Sequence, residues 1–234
     1  MGNKHLNTSS QSQSSVFRYG AATHVGNIRI SNQDKFGITP NLAVVADGMG
    51  GHNGGEVAAE IAVTTLTNAD KFQSIDEFAL LVQKAHHLIQ VRAQENINLD
   101  GMGTTLCALS EIITQETSKS IGAVNVGDSR IYLFTKDELH QISIDHSVVQ
   151  ELVDSGKITE LEAKSHPQRN LITRSLGHQP TIEVDAWEID PVIGDRYLLC
   201  SDGLTNEISD AEITEILLNQ TDPQQAADEL IQSA

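Results

Sequence analysis

Three short, unbroken apolar runs in this chain each end in an aspartate that sits beside a glycine. Leu42-Ala-Val-Val-Ala46 ends in Asp47-Gly48, Ile121-Gly-Ala-Val-Asn-Val126 leads into Gly127-Asp128, and Tyr197-Leu-Leu-Cys-Ser201 leads into Asp202-Gly203. Runs of this length bounded by glycine read as buried strands. A carboxylate at the end of a buried strand is costly unless positive charge meets it. Taken singly, each is equally well a helix cap or a turn aspartate. Three of one design suggest a shared rim, where hard oxygen donors could hold Mg2+ or Mn2+.

The 234 residues suit one large domain with a sizeable core. With 15 basic against 32 acidic side chains the net charge is −17. That argues against nucleic acid and anionic membrane surfaces as partners, since both are negative. A phosphorylated substrate stays open, because bound divalent cations would reverse the local field. Cys107 and Cys200 both fall inside apolar runs, as free buried thiols rather than a disulfide framework. No apolar stretch has membrane-spanning length, and a cytoplasmic setting is expected. Residues 1–15, rich in Ser, Gln and Asn, read as a disordered tail, and residues 16–234 as the folded domain.

Strands are expected at 17–23, 36–39, 42–47, 104–113, 120–126, 130–135, 139–143, 181–188 and 196–200. Val57, Ala58, Ile61, Ala62, Thr65 and Leu66 recur at helical spacing, as do Phe78, Leu81, Val82, Ala85, Leu88 and Ile89. A helical pair is expected at 147–154 and 160–164, with Gly156 as a stop and Thr159-x-x-Glu162 as a capping box. Asp222-Pro223 reads as the cap and first turn of a last helix. Many short strands with helices grouped between them suggest an α+β fold of packed antiparallel sheets with helices outside.

Gly48-Met-Gly-Gly-His-Asn-Gly-Gly55 looks like a phosphate-cradling loop but fits neither common pattern. Asn53 stands where a dinucleotide loop needs its third glycine, and no Gly-Lys-Ser/Thr follows for a P-loop. The ordered set Gly26-x-x-Arg29-x-x-Asn32-x-Asp34, Val45-Ala-Asp-Gly-Met-Gly-Gly-His52, Gly101-Met-Gly-Thr-Thr105, Val126-Gly-Asp-Ser-Arg130, Asp145-His-Ser147 and Ser201-Asp-Gly-Leu204 resembles the metal-dependent serine/threonine protein phosphatases of type 2C, in their bacterial form. The match runs from about Tyr19 to the C-terminus.

The resemblance implies a central antiparallel β-sandwich flanked by helices on both sides, in α-β-β-α layers, with a two-metal site at one end. Asp47 would bridge two Mn2+ or Mg2+ ions, the Gly48 carbonyl would bind one, and Asp202 would hold the second. Asp34 would order water, Asp128 would serve a weaker third ion shared with Asp202, and Arg29 would grip the substrate phosphate. His52 is a candidate leaving-group acid or a structural residue at a helix entry, because Met49 follows Asp47-Gly48 where some family members carry a histidine. The segment 145–178 would be a flap beside the site.

Such a pair of ions lowers the pKa of a shared water and offsets phosphoryl charge. Phosphate-monoester hydrolysis needs a barrier reduction of about 20 kcal/mol or more. The expected partners are phosphoserine and phosphothreonine proteins and a cognate serine/threonine kinase, with no nucleic acid and no membrane. Family members end in a Gly-Gly-x-Asp-Asn motif and a final strand, neither of which occurs here, so the domain is expected to be C-terminally incomplete. A catalytically weak or inactive relative that binds phosphoprotein or metal is therefore the rival reading.

Overall fold

The computed structural model describes residues 17–27, 30–50, 54–113 and 119–234. Two antiparallel sheets lie face to face. The larger holds β1 (Asp34–Thr39), β2 (Leu42–Met49), β4 (Leu106–Ile113), β5 (Lys119–Val126) and β8 (Asp185–Ile189) in the order β1-β2-β4-β5-β8, and the short β3 (Gly103–Thr104) also pairs with β2. The smaller runs β7 (Glu138–Gln141), β6 (Arg130–Thr135), β9 (Arg196–Cys200).

The central strands are apolar without interruption because both of their faces are buried. Along β4, Leu106, Ala108 and Ile112 face one way, into a layer with Val44, Leu66, Phe78 and Ile89. Cys107 and Leu109 face the other way, into the space between the sheets with Ile131, Tyr197 and Leu199. Outside the small sheet, Tyr132 and Phe134 meet Ile213, Leu217 and Leu230. These three apolar layers are the physical content of an α-β-β-α sandwich. Helices α1 (Gly54–Thr67) and α2 (Ile75–Glu95) cover the large sheet, while α6 (Asp210–Asn219) and α7 (Pro223–Ser233) cover the small one. Three shorter helices complete the fold: α3 (Val148–Asp154), α4 (Glu160–Lys164) and the single turn α5 (Asp202–Thr205).

The caps sit where their residue types demand. Ser74 accepts from the Glu77 N–H at the start of α2, and Asp222 caps α7 with Pro223 in the first turn. Thr159 and Glu162 cap each other at α4. Ser209 and Glu212 do the same at α6, a helix not expected from the sequence. The buried stripe of α1 lies slightly rotated from the expected one. Ala58, Ala59, Ala62, Val63 and Leu66 are buried, whereas Val57 and Ile61 are only partly covered. Small alanines let the helix axis approach the sheet, and the larger residues flank the contact.

Three expected strands change. Residues 17–23 form no strand: Gly20 lies against the Pro223 backbone, and the Gln224 side chain takes the Ala21 N–H at 3.1 Å and donates to the Ala21 carbonyl at 2.9 Å. A side-chain amide thus replaces a strand partner. The expected strand at 181–188 begins at Asp185, because its ladder with β5 ends at the Asn125–Asp185 pair. The run 104–113 is broken at Thr105, for a reason that belongs to the site. The buried cysteines are both free thiols, as expected. Among the described residues no helix is long and apolar enough to cross a membrane.

Candidate metal centre

The C-terminal ends of β2, β5 and β9 lie on one rim. Asp47 is on β2, Asp128 follows β5 after one glycine, and Asp202 follows β9 after Ser201. Asp34 opens β1 and is the antiparallel partner of Asp47. All four, with Gly48, line one cavity of about 1990 Å3. The carboxyl of Asp47 lies within hydrogen-bond reach of those of Asp34 and Asp202, and Asp202 in turn faces Asp128. The four acidic residues thus come together as the sequence suggests.

Threonine side chains set the aim of Asp47. The Asp47 N–H donates to Thr105 Oγ1 at 3.0 Å, while the Asp47 carbonyl accepts from the Thr105 N–H and from Thr104 Oγ1, both at 2.9 Å. This side-chain substitution is what interrupts the strand at Thr105. The same hydroxyl lies 2.6 Å from Ser129 Oγ, beside Asp128. Ser201 donates to Asp34 Oδ2 at 2.7 Å, and Asn206 Nδ2 to Asp202 Oδ2 at 3.1 Å. Thr104 and Thr105 stand in a quoted motif, but nothing in the sequence says that their hydroxyls meet a strand 57 and 58 residues away.

Glycine is required where β2 meets α1. A Cβ on Gly48 would lie 2.1 Å from the Gly55 carbonyl oxygen. Only bare backbone lets the acidic strand end and the helix start approach this closely.

The electrostatics are those of a site that wants cations. Burial, then the charges of Asp34 and Asp202, push Asp47 up to about 9. Burial, then Asp202 and Asp145, raise Asp128 to about 7. Asp128 Oδ1 is buried with no hydrogen-bond partner, an arrangement that costs free energy until something fills it. The donors are all oxygens, the set preferred by Mg2+ and Mn2+ over softer metals. Among the described residues no group of three His, Cys, Asp or Glu side chains is placed to hold a single metal ion by itself. Mg2+ keeps several waters and needs only one or two carboxylates, so an open acidic rim fits it better than a cage would.

Arg29 and His52 lie outside the described residues. Their neighbours are ordered by local bonds: Asn32 Oδ1 accepts from the Asp34 N–H at 3.0 Å, and Asn32 Nδ2 donates to Thr23 Oγ1 at 2.8 Å.

The protein phosphatase 2C family profile matches residues 24–232. A serine/threonine phosphatase stp of Listeria innocua is 39% identical over 225 residues, covering 91% of this chain and 87% of that protein. Among solved structures, the Mycobacterium tuberculosis serine/threonine phosphatase PstP/Ppp superposes with a TM-score of 0.83 at 38% identity, covering 92% of this chain and 91% of that one. The catalytic domain of PstP in complex with two manganese ions gives a TM-score of 0.80 at 36% identity, covering 92% and 90%. Family match, sequence identity and structural superposition agree, and this chain belongs to the protein phosphatase 2C family.

Proposed function

We propose that this chain is a protein serine/threonine phosphatase that hydrolyses phosphoserine and phosphothreonine with the help of two Mn2+ or Mg2+ ions. The observation that carries the reading is the convergence of Asp34, Asp47, Asp128 and Asp202 on one cavity, where burial and then its acidic neighbours push Asp47 up to about 9. Uncompensated, that cluster is repulsive; with cations between the carboxylates it becomes a phosphate site. The family and the manganese complex of PstP support the same chemistry.

When bound, the ions supply an activated water and offset the charge of the phosphoryl oxygens. The residues of the chain do the rest. Asp47 and Asp202, with the Gly48 carbonyl, would hold the ion pair, and Asp128 with Asp202 a weaker third ion. Asp34, fixed by Ser201, would orient water at the site. Arg29 would grip the phosphate with its planar fork, and His52 is the nearest candidate to protonate the leaving oxygen. With water as the nucleophile, positioning and electrostatics must supply most of the barrier reduction. The substrates would be cytoplasmic phosphoproteins made by a serine/threonine kinase.

The test is release of phosphate from a phosphothreonine peptide and from p-nitrophenyl phosphate. Turnover with Mn2+, lost in EDTA and restored by excess Mn2+, is the expected result. Folded protein that releases no phosphate with either ion, or releases it equally well in EDTA, contradicts the proposal.

A further inference from the structure

Asp128 differs from the other acidic residues in standing on a loop, and one histidine holds that loop from both sides. The Gly127 N–H donates to His146 Nδ1 at 2.9 Å, and the His146 N–H donates to the Gly127 carbonyl, also at 2.9 Å. The glycine is required: its φ is +107°, and an added Cβ would sit 2.7 Å from Thr105 Cβ. His146 is buried, and its own carbonyl accepts from the Thr173 N–H at 2.8 Å. Through these bonds the segment 145–178 and the residue before Asp128 share one anchor.

The ring has one consistent protonation. Nδ1 accepts from Gly127, so Nε2 carries the hydrogen and donates to Asp185 Oδ2 at 3.2 Å. Arg174 Nη1, 2.9 Å from Nε2, is then no hydrogen-bond partner of the ring; it donates to Asp185 Oδ1 at 2.5 Å. Asp185 thereby fixes the imidazole tautomer, as an outer carboxylate does for a histidine that must present a chosen nitrogen. The neighbouring Asp145 is gripped by Arg130, two residues after Asp128, with Nη2 to Oδ2 at 2.6 Å. Asp145 and His146 therefore bracket the loop 127–130 at both ends.

We propose that His146 is a positioning residue: it sets the direction of the Asp128 carboxylate and ties it to the segment 145–178. The proposal rests on the reading that Asp128 helps to hold a cation. Loss of such an outer contact commonly costs about 10- to 100-fold in metal affinity.

Two substitutions separate positioning from mere packing. In His146→Asn the side-chain oxygen falls near the place of Nδ1 and keeps the acceptor for Gly127. In His146→Gln that acceptor is lost, while an amide still reaches toward Asp185. Calorimetric Mn2+ titration of the full chain, with Asp128→Ala as reference, identifies the binding step that depends on Asp128. His146→Gln is expected to weaken that step about tenfold and leave the others unchanged, while His146→Asn restores it to within about threefold. Hydrogen exchange on the metal-free protein gives a second readout: Gly127 and residues 145–178 exchange faster in His146→Gln and at the native rate in His146→Asn.

An unchanged Asp128-dependent step and unchanged exchange in His146→Gln would overturn the proposal. Equal losses in both variants would overturn it too, since they would mark a packing role. If Asp128→Ala alters no binding step, the ligand reading of Asp128 fails, and the exchange arm still decides whether His146 holds the loop.

Discussion

Asp47 and Asp128 share one design in the sequence, a carboxylate beside a glycine after a buried strand, yet the fold treats them differently. Asp47 lies within the β ladder, paired with Asp34 and clamped through its backbone by Thr104 and Thr105. Asp128 lies beyond its strand, on a loop whose shape depends on His146. Burial is the largest cause for both: with Asp34 and Asp202 at close range it brings Asp47 to about 9, and with Asp202 and Asp145 it brings Asp128 to about 7. Embedding a carboxylate in a ladder makes a site that cannot adjust. Hanging it from a loop makes one that a distant segment can retune.

The sharpest way to break this comparison is to neutralise each carboxylate in turn. Asp47→Asn is expected to lower kcat by about 10^3-fold or more and to weaken Mn2+ binding, whereas Asp128→Asn should cost only about tenfold. Steady-state hydrolysis of p-nitrophenyl phosphate across Mn2+ concentrations measures both; equal losses would erase the distinction. Next in size, Arg29→Ala should raise KM by about tenfold or more with little change in kcat, the pattern of lost phosphate binding. A KM that stays at the native value would remove Arg29 from the phosphate site.

The pH dependence sharpens the same contrast. Both carboxyls have folded-state pKa values above their ordinary 3.8, so their protonated forms favour the native state. That contribution is fully present below about 3.8 and is lost as pH rises, through about 7 for Asp128 and about 9 for Asp47. Metal-free protein should therefore lose stability between about pH 4 and 9, measured by urea unfolding. Saturating Mn2+ should flatten the trend, since cations neutralise the ionised pair. At pH 7 Mn2+ binding should also release protons, seen as a buffer-dependent enthalpy.

The smallest effect concerns the clamp. Thr105→Val keeps the shape of a fully buried residue but leaves the Asp47 N–H without its acceptor. A loss of about 1–3 kcal/mol in urea unfolding is expected. A loss near zero would mean that Thr105 does not fix Asp47.

Much of this was legible in the sequence. Unbroken apolar runs marked strands buried on both faces, and Leu106–Ile113 alternates between two cores. The cap signals at Thr159 and Asp222 act as local chemistry dictates. The acidic rim was legible because strand ends carry direction: three C-terminal ends in a sandwich readily share a side. What escaped depends on contacts between distant residues. Residues 17–23 have a strand-like pattern, but Gln224, 203 positions from Ala21, occupies their backbone groups. His146 stands in the Asp145-His-Ser147 motif, but only the fold brings it against Gly127 and Asp185. The threonine clamp escaped for the same reason.

Anomalous diffraction at the manganese edge from Mn2+-soaked crystals tests the central claim most directly. Two strong peaks touching Asp47 are expected, with Asp202 at one of them and any weaker third peak beside Asp128. Ordered crystals with manganese bound elsewhere, and none between Asp47 and Asp202, would contradict it.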